Sequence, residues 1–351
     1  MHLALLWLLL AGTAIVILIA SNFLAKSADV IAFKTGLGRA FIGVVLLATA
    51  TSLPELGTGV STITWRDEPD LAVGDAFGSN LFNLLIIGLL DLFWRNGPIL
   101  STVSIATVMI GALGIAVISL AAIGMLIHSY TDAMSSWTLS PISVLILGVF
   151  LVAMYLIYRF EQRPRNDGAY AVASASEEEG EDAEEQYAGD SLFRALVVYV
   201  VSASCVIGAA IALAYAGDEI AHQMGWQASF VGTQFLAFST SLPELAACFA
   251  AIRINAPELA ITGVLGSNLF NMGFILFMDD VALVGAPLWH PDHIASIHTL
   301  TAVIAMLMTA VVIVSVLNRG RRRPNKFFTG EALILIGLYA AASVLVFMLG
   351  D

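Results

Sequence analysis

The sequence predicts an all-α polytopic membrane protein: about ten transmembrane helices in two inverted five-helix repeats, with helices two and seven broken. Three observations predict it. Mean hydropathy is +0.88, and only 12% of the 351 residues are charged, where a soluble domain carries about 25%. Runs of roughly 20 apolar residues, long enough to cross a hydrocarbon core, recur along the chain. Inside one such run stands Thr51-Ser52-Leu53-Pro54-Glu55, and inside another it returns as Thr240-Ser241-Leu242-Pro243-Glu244. The short alternating segments of a transmembrane β-barrel are not visible, and nothing suggests a nucleic-acid partner.

The first span, 3–23, has a long apolar stretch, no basic segment before it and no clear small-residue cleavage site after it. It is expected to be a retained helix and not a signal peptide. Spans two (38–64) and seven (227–252) each carry the pentapeptide. Pro54 and Pro243 are expected to break them, because proline removes a backbone donor and pushes the preceding residue out of helical geometry. Spans three (71–93) and eight (257–278) carry Gly-Ser-Asn triplets. Spans four (99–127), five (138–158), six (193–214), nine (294–317) and ten (330–349) complete the set. Cys205 and Cys248 fall in apolar segments and read as small hydrophobes, not a disulfide.

Loops after odd-numbered spans hold every basic residue except Arg66, 14 of 15 (15 − 1). Cytoplasmic loops concentrate Lys and Arg. Both termini are therefore expected outside and the central loop in the cytoplasm, in a protein of the plasma membrane. That loop, 159–192, divides the chain into a first repeat, 1–158, and a second, 193–351. It begins with Arg159, Arg163 and Arg165 and then runs Glu177-Glu178-Glu179-Gly180-Glu181-Asp182-Ala183-Glu184-Glu185, which supplies much of the net charge of −12. With few large apolar residues it is expected to be a disordered spacer. The cluster Arg319-Gly320-Arg321-Arg322-Arg323 is expected to set topology and to touch anionic headgroups.

The halves repeat. Phe41 to Ile63 reads FIGVVLLATATSLPELGTGVSTI and Phe230 to Ile252 reads FVGTQFLAFSTSLPELAACFAAI, an offset of 189 (244 − 55). Gly78-Ser79-Asn80-Leu81-Phe82-Asn83 answers Gly266-Ser267-Asn268-Leu269-Phe270-Asn271, an offset of 188 (267 − 79). Five spans per half is an odd number, so the copies enter the membrane in opposite directions. Inverted repeats whose broken helices meet near the midplane are a recurrent plan of secondary transporters, and antiparallel placement would bring Glu55 and Glu244 together.

These motifs offer oxygen ligands only. Glu55 and Glu244 are carboxylates; Thr51, Ser52, Thr240, Ser241, Ser79 and Ser267 are hydroxyls; Asn83 and Asn271 are amides. The prolines should free backbone carbonyls near Ala50 and Ser239. Such a set selects hard cations over zinc or copper. Ser79 and Asn83 stand at i and i+4, on one helix face, as do Ser267 and Asn271, and Gly78 and Gly266 would permit close helix approach. One Gly-Ser-Asn triplet alone would read as interhelical hydrogen bonding, worth about 0.6–2 kcal/mol. Four motifs in matched pairs read as one site. Two ionised glutamates give it a charge of −2, and burying that charge unpaired is costly. The protein should change sides only when loaded, as an antiporter does and a channel does not.

At these residues the chain resembles the cation/calcium exchanger superfamily, specifically its sodium/calcium exchanger branch, over nearly all of the membrane portion. The resemblance implies that Glu55 and Glu244 ligate calcium, helped by carbonyls of Thr51 and Thr240. It implies neighbouring sodium sites at the carbonyls of Ala48 and Ala237 and the hydroxyls of Ser52, Ser241, Ser79 and Ser267. Asn83 and Asn271 close the second motif. It further implies that spans one and six slide past the rest. Calcium and sodium are then transported substrates, no cofactor is called for, and the bilayer is the other partner. The oligomeric state stays open, with a monomer the simplest unit. Two departures stand out. Some members carry Asp where Asn271 stands, which argues against potassium co-transport, and Asp75 occupies a position where these proteins usually have Asn.

Asp75 is expected either to line an outer vestibule or to act as a helix-N-terminal acid. Asp91, Asp279 and Asp280 are expected at interfaces, and His290, His293 and His298 show no metal spacing. The alternative within transport is calcium/proton exchange, or exchange that needs potassium or carries another divalent ion. The proton branch usually shows Gly-Asn shortly before the Glu, where this chain has Thr-Ser-Leu-Pro. An intramembrane enzyme would need a nucleophile, HExxH or paired-Asp pattern, and none appears. A calcium sensor would bind without flux.

Overall fold

Helices account for most of what the computed structural model describes, namely residues 2–35, 43–94, 97–131, 137–161, 191–253, 257–285, 287–318 and 329–350. They are α1 (Leu3–Thr35), α2 (Gly43–Ser61), α3 (Pro69–Phe93), α4 (Ile105–Tyr130), α5 (Pro141–Glu161), α6 (Leu192–Met224), α7 in two arms (Ala228–Thr240 and Leu242–Arg253), α8 (Pro257–Ala282), α9 (Ile297–Leu317) and α10 (Gly330–Leu349). No strand occurs among the described residues. Among the described residues, eight helices are long and apolar enough to cross a membrane, and the two arms of α7 make a ninth span. The tenth expected span corresponds to α2. Most of the acidic central loop and the Arg319–Arg323 cluster lie outside the described residues.

The break expected in both motif helices occurs in one. The arms of α7 meet at Ser241 with a bend of 42°. By contrast, α2 continues helically through Pro54 and then relaxes into a π-helical turn, Thr62–Arg66, closed by Asp67 in the left-handed region. The pentapeptides are identical, so packing makes the difference. The first arm of α7 is pressed onto α3: a Cβ added at Gly232 would lie 2.5 Å from the Leu71 carbonyl oxygen, and one at Gly78 would lie 2.4 Å from that of Thr233. Held there, the arm meets the proline constraint by turning. The close approach expected at Gly78 is found.

Two helices run longer than expected. α1 and α6 have 33 residues each, about 50 Å at helical rise, against a hydrocarbon core of about 30 Å. Hydropathy detects only the lipid-crossing part. The polar extension of α6 is anchored by an Arg66–Asp218 ion pair and closed by Gly225 at φ +64. α1 lies along α6 more extensively than any other pair of elements meets. Together they share a small apolar core with the start of α7, built on Leu6, Ile17, Leu213 and Ile220. The main core lies among α3, α4, α5, α8 and α9 around Phe77, Ile87, Leu90 and Trp289. The described residues therefore form two apolar cores, the smaller one built mainly on the α1–α6 pair together with Leu71, Val231 and Leu236.

Candidate cation site

Each pentapeptide is carried to the interior by the helix that contains it, and each meets a Gly-Ser-Asn motif. The residues the sequence singles out come together, nearly all of them buried. Glu55 and Glu244 are 1% and 4% exposed, and Ser52, Ser79, Asn83, Thr240, Ser241, Ser267, Asn271 and Thr51 are buried with them. Ser79 and Ser241 donate to Glu55 Oε1 at 3.4 and 3.2 Å. Ser267 donates to Glu244 Oε1 at 2.8 Å and stands 3.1 Å from the Ser52 hydroxyl. Each glutamate thus takes a hydroxyl from its own repeat, and Ser241 and Ser52 link across to the other.

Oε2 of Glu55 and Oε2 of Glu244 are buried with no hydrogen-bond partner, as are both amide atoms of Asn271 and Oδ1 of Asn83. Buried polar atoms are seldom left unmatched. A cluster of unmatched oxygens around two carboxylates is suited to a bare cation, which accepts lone pairs that the protein does not use. Ala237 lies at the end of the first arm of α7, where its carbonyl accepts from Ser241 N at 3.1 Å. Ala48 lies on the backbone of α2. The proline ring leaves the carbonyl four residues earlier, at Ala50 and at Ser239, without its helical donor.

Five polar residues were less legible. Asn268 accepts from Asn83 Nδ2 at 2.9 Å and donates to the Asn80 carbonyl at 3.2 Å, joining α8 to α3. Its signal was present, since it is the Asn of the repeated triplet. Asp91, Asp279 and Asp280, expected at interfaces, are buried. Asp91 accepts from Ile99 N at 2.7 Å and from the Thr329 hydroxyl. Asp280 accepts from Leu288 N and Ser140 N at 2.6 and 2.9 Å. These two acids sit at the ends of apolar runs because they tie down the connections that follow. Asp75 is not in the first turn of α3, so the helix-terminus reading fails; it accepts from Thr240 Oγ1 at 3.0 Å.

Elsewhere, Glu68, Asp218 and His222 bring ligand atoms within 4.8 Å of one another. Arg66 already neutralises Asp218 there. Burial, and then the Asp218 charge, hold the Glu68 carboxyl above its ordinary value. Neither cysteine is in a disulfide. His298 is buried and bonded to Asp70 at 2.9 Å.

The sodium/calcium exchanger protein family matches residues 5–158 and 194–348, both sides of the acidic loop. The chain belongs to that family. Among curated relatives, the putative antiporter CaxA of Alkalimonas amylolytica is 26% identical over 277 residues, covering 79% of this chain and 80% of its own. Among solved structures, native YfkE has a TM-score of 0.62 at 16% identity, covering 97% of this chain and 92% of that one. The sodium-calcium exchanger NCX_Mj has a TM-score of 0.60 at 17% identity, covering 98% and 99%. At these identities the structures establish the shared fold. The protein is an integral membrane transporter of the exchanger family.

Proposed function

We propose that the protein is a secondary antiporter that exchanges sodium for calcium across the plasma membrane by alternating access. The observation that carries this reading is the pair of buried glutamates, one from each repeat, each with an unmatched oxygen amid shared hydroxyls. Glu55 and Glu244 would grip calcium with the carbonyls of Thr51 and Thr240. Sodium would be held by the hydroxyls of Ser52, Ser241, Ser79 and Ser267 with the carbonyls of Ala48 and Ala237, and Asn83 and Asn271 would close the cage. NCX_Mj is named a sodium-calcium exchanger and CaxA a putative antiporter, which supports this assignment.

Two charges of −2 and +2 cancel when one calcium is bound, and sodium ions can substitute in number. An empty site stays uncompensated in low dielectric, which disfavours its passage. The extensive packing of α1 along α6 suits the pair to move as a unit against the remaining helices, with the central acidic loop as a cytoplasmic spacer between repeats. Both termini would then lie outside.

The test is tracer calcium uptake into sodium-loaded proteoliposomes diluted into potassium or choline. Uptake should collapse without the sodium gradient and persist when proton gradients are clamped. Glu55→Gln and Glu244→Gln should each reduce it at least about a hundredfold, as expected when one of two buried ligating charges is lost. Uptake driven by a proton gradient instead would assign the coupling ion to protons. Normal uptake by either variant would overturn the site.

A further inference from the structure

Two buried carboxylates have no part in that cycle. Asp75 lies one helical turn before Ser79 on α3; Thr240 bonds its Oδ1, while Oδ2 has no partner. Asp279, near the end of α8, is fully buried and neither oxygen has a partner. Its carboxylate fills the space that a side chain at position 59 would need, since a Cβ on Gly59 would lie 2.4 Å from Oδ1. Gly59 is one turn beyond Glu55 on α2. Ser79 bonds Glu55, so Asp75 and Gly59, one turn beyond each, lie at the same level of α3 and α2, and the end of α8 packs against both helices.

Asp75 and Gly59 each stand one turn from the central site, and Asp279, about two turns past Asn271 on α8, meets Gly59 there, all toward the α2–α3 connection. No ordinary structural task accounts for Asp279, because the capping at the end of α8 is done by its neighbour Asp280. The other repeat lacks this feature. By the offsets of 188 and 189, the counterparts are Gly263 for Asp75, Leu90 for Asp279 and Cys248 for Gly59. Anionic carboxylates this deep are stable only with a compensating charge. The unmatched oxygens are hard donors, suited to calcium or sodium and not to a soft metal.

We propose that Asp75 and Asp279 form an accessory site for a hard cation, calcium by charge, on the path between the central site and the outer face. This rests on the exchange reading above and on the orientation the basic residues imply, which puts the α2–α3 connection outside.

The experiment pairs calcium titration of the purified protein, by equilibrium dialysis with radiolabelled calcium, with uptake by vesicles of known sidedness. The variants are Asp279→Asn, Asp279→Leu (the residue of the other repeat) and Asp75→Asn, each checked for a retained melting temperature. Wild type should bind calcium in two events. The Asp279 variants should lose the weaker one, and Glu55→Gln should lose the tighter and keep the weaker. From the outer side, the calcium KM should rise about tenfold in the Asp279 variants, from the loss of one nearby charge; from the inner side it should change less than about twofold. A weaker event seen with radiolabelled sodium, and absent with calcium, would keep the site and assign it to sodium. Equal calcium stoichiometry and equal outer KM in wild type and Asp279→Asn would overturn the proposal. Transport by Glu55→Gln would instead overturn the central assignment, so the two failures are distinguishable.

Discussion

α3 and α8 begin alike and end differently. Pro69 answers Pro257, and Ser79 and Asn83 answer Ser267 and Asn271, all at an offset of 188. Beyond these the offset becomes 189: Asp91 answers Asp280, Pro98 answers Pro287, and Ile99 N and Leu288 N bond the two acids in the same way. The extra residue is absorbed by the π-helical turn Asn271–Ile275 of α8, while α3 is α-helical throughout. A π turn takes up one residue without disturbing the helix on either side, and such bulges gather at functional sites. This one begins at Asn271, whose amide has no partner. The repeats thus share a cage and its anchoring acids, while the register between them is set separately in each copy.

The largest effect should come from removing that difference. Deleting Met272 would restore α3-like spacing and rotate Asp280 by about 100°, one residue's share of a helical turn. Leu288 N and Ser140 N would both lose their acceptor, at about 1–3 kcal/mol each. The variant should lose its monodisperse peak in size-exclusion chromatography, or melt well below wild type. An unchanged melting curve would mean that the π turn is incidental.

Next in size is the contrast between the anchors. Asp280→Asn sets an amide NH2 against a backbone N–H, since both carboxylate oxygens accept from the main chain. Asp91→Asn can turn its NH2 toward the Thr329 hydroxyl, which can accept as well as donate. Thermal melts should place Asp280→Asn below Asp91→Asn by about 1–2 kcal/mol. The reverse order would show that the Thr329 hydroxyl does not accommodate the Asp91→Asn amide.

Much of the cage was legible because its letters repeat: the glutamates, the hydroxyls of Thr51, Ser52, Thr240 and Ser241, and the Ser and Asn of the second motif all came from matched copies. Single-copy features were harder to read. Asp279 follows a long apolar run, where a buried acid and an interfacial one look the same in sequence; its seat in the space that Gly59 leaves free of a side chain distinguishes them. The unequal effect of Pro54 and Pro243 was hidden for a similar reason. It depends on how tightly α3 holds the first arm of α7, through main-chain contacts at Gly78 and Gly232 that composition does not encode. The polar end of α6 was missed because hydropathy ends where the lipid does, although the helix continues to Asp218 and beyond.

The smallest effect lies inside the cage, where the copies are matched in letters and unequal in geometry. Ser267 holds Glu244 at 2.8 Å and also meets Ser52 at 3.1 Å, whereas Ser79 reaches Glu55 at 3.4 Å, at the edge of a hydrogen bond. A hydroxyl bonded to a carboxylate contributes about 1.5–3 kcal/mol when the geometry is good and much less at the longer distance. Glu55 also keeps the Ser241 hydroxyl at 3.2 Å. Ser267→Ala should therefore raise the calcium concentration for half-maximal exchange about fivefold, and Ser79→Ala about twofold, read from the same vesicle assay. Equal shifts would mean that the cage becomes symmetric once the ion is in it, so that the inequality belongs to the empty form alone. A larger shift for Ser79→Ala would reverse the roles given to the two repeats.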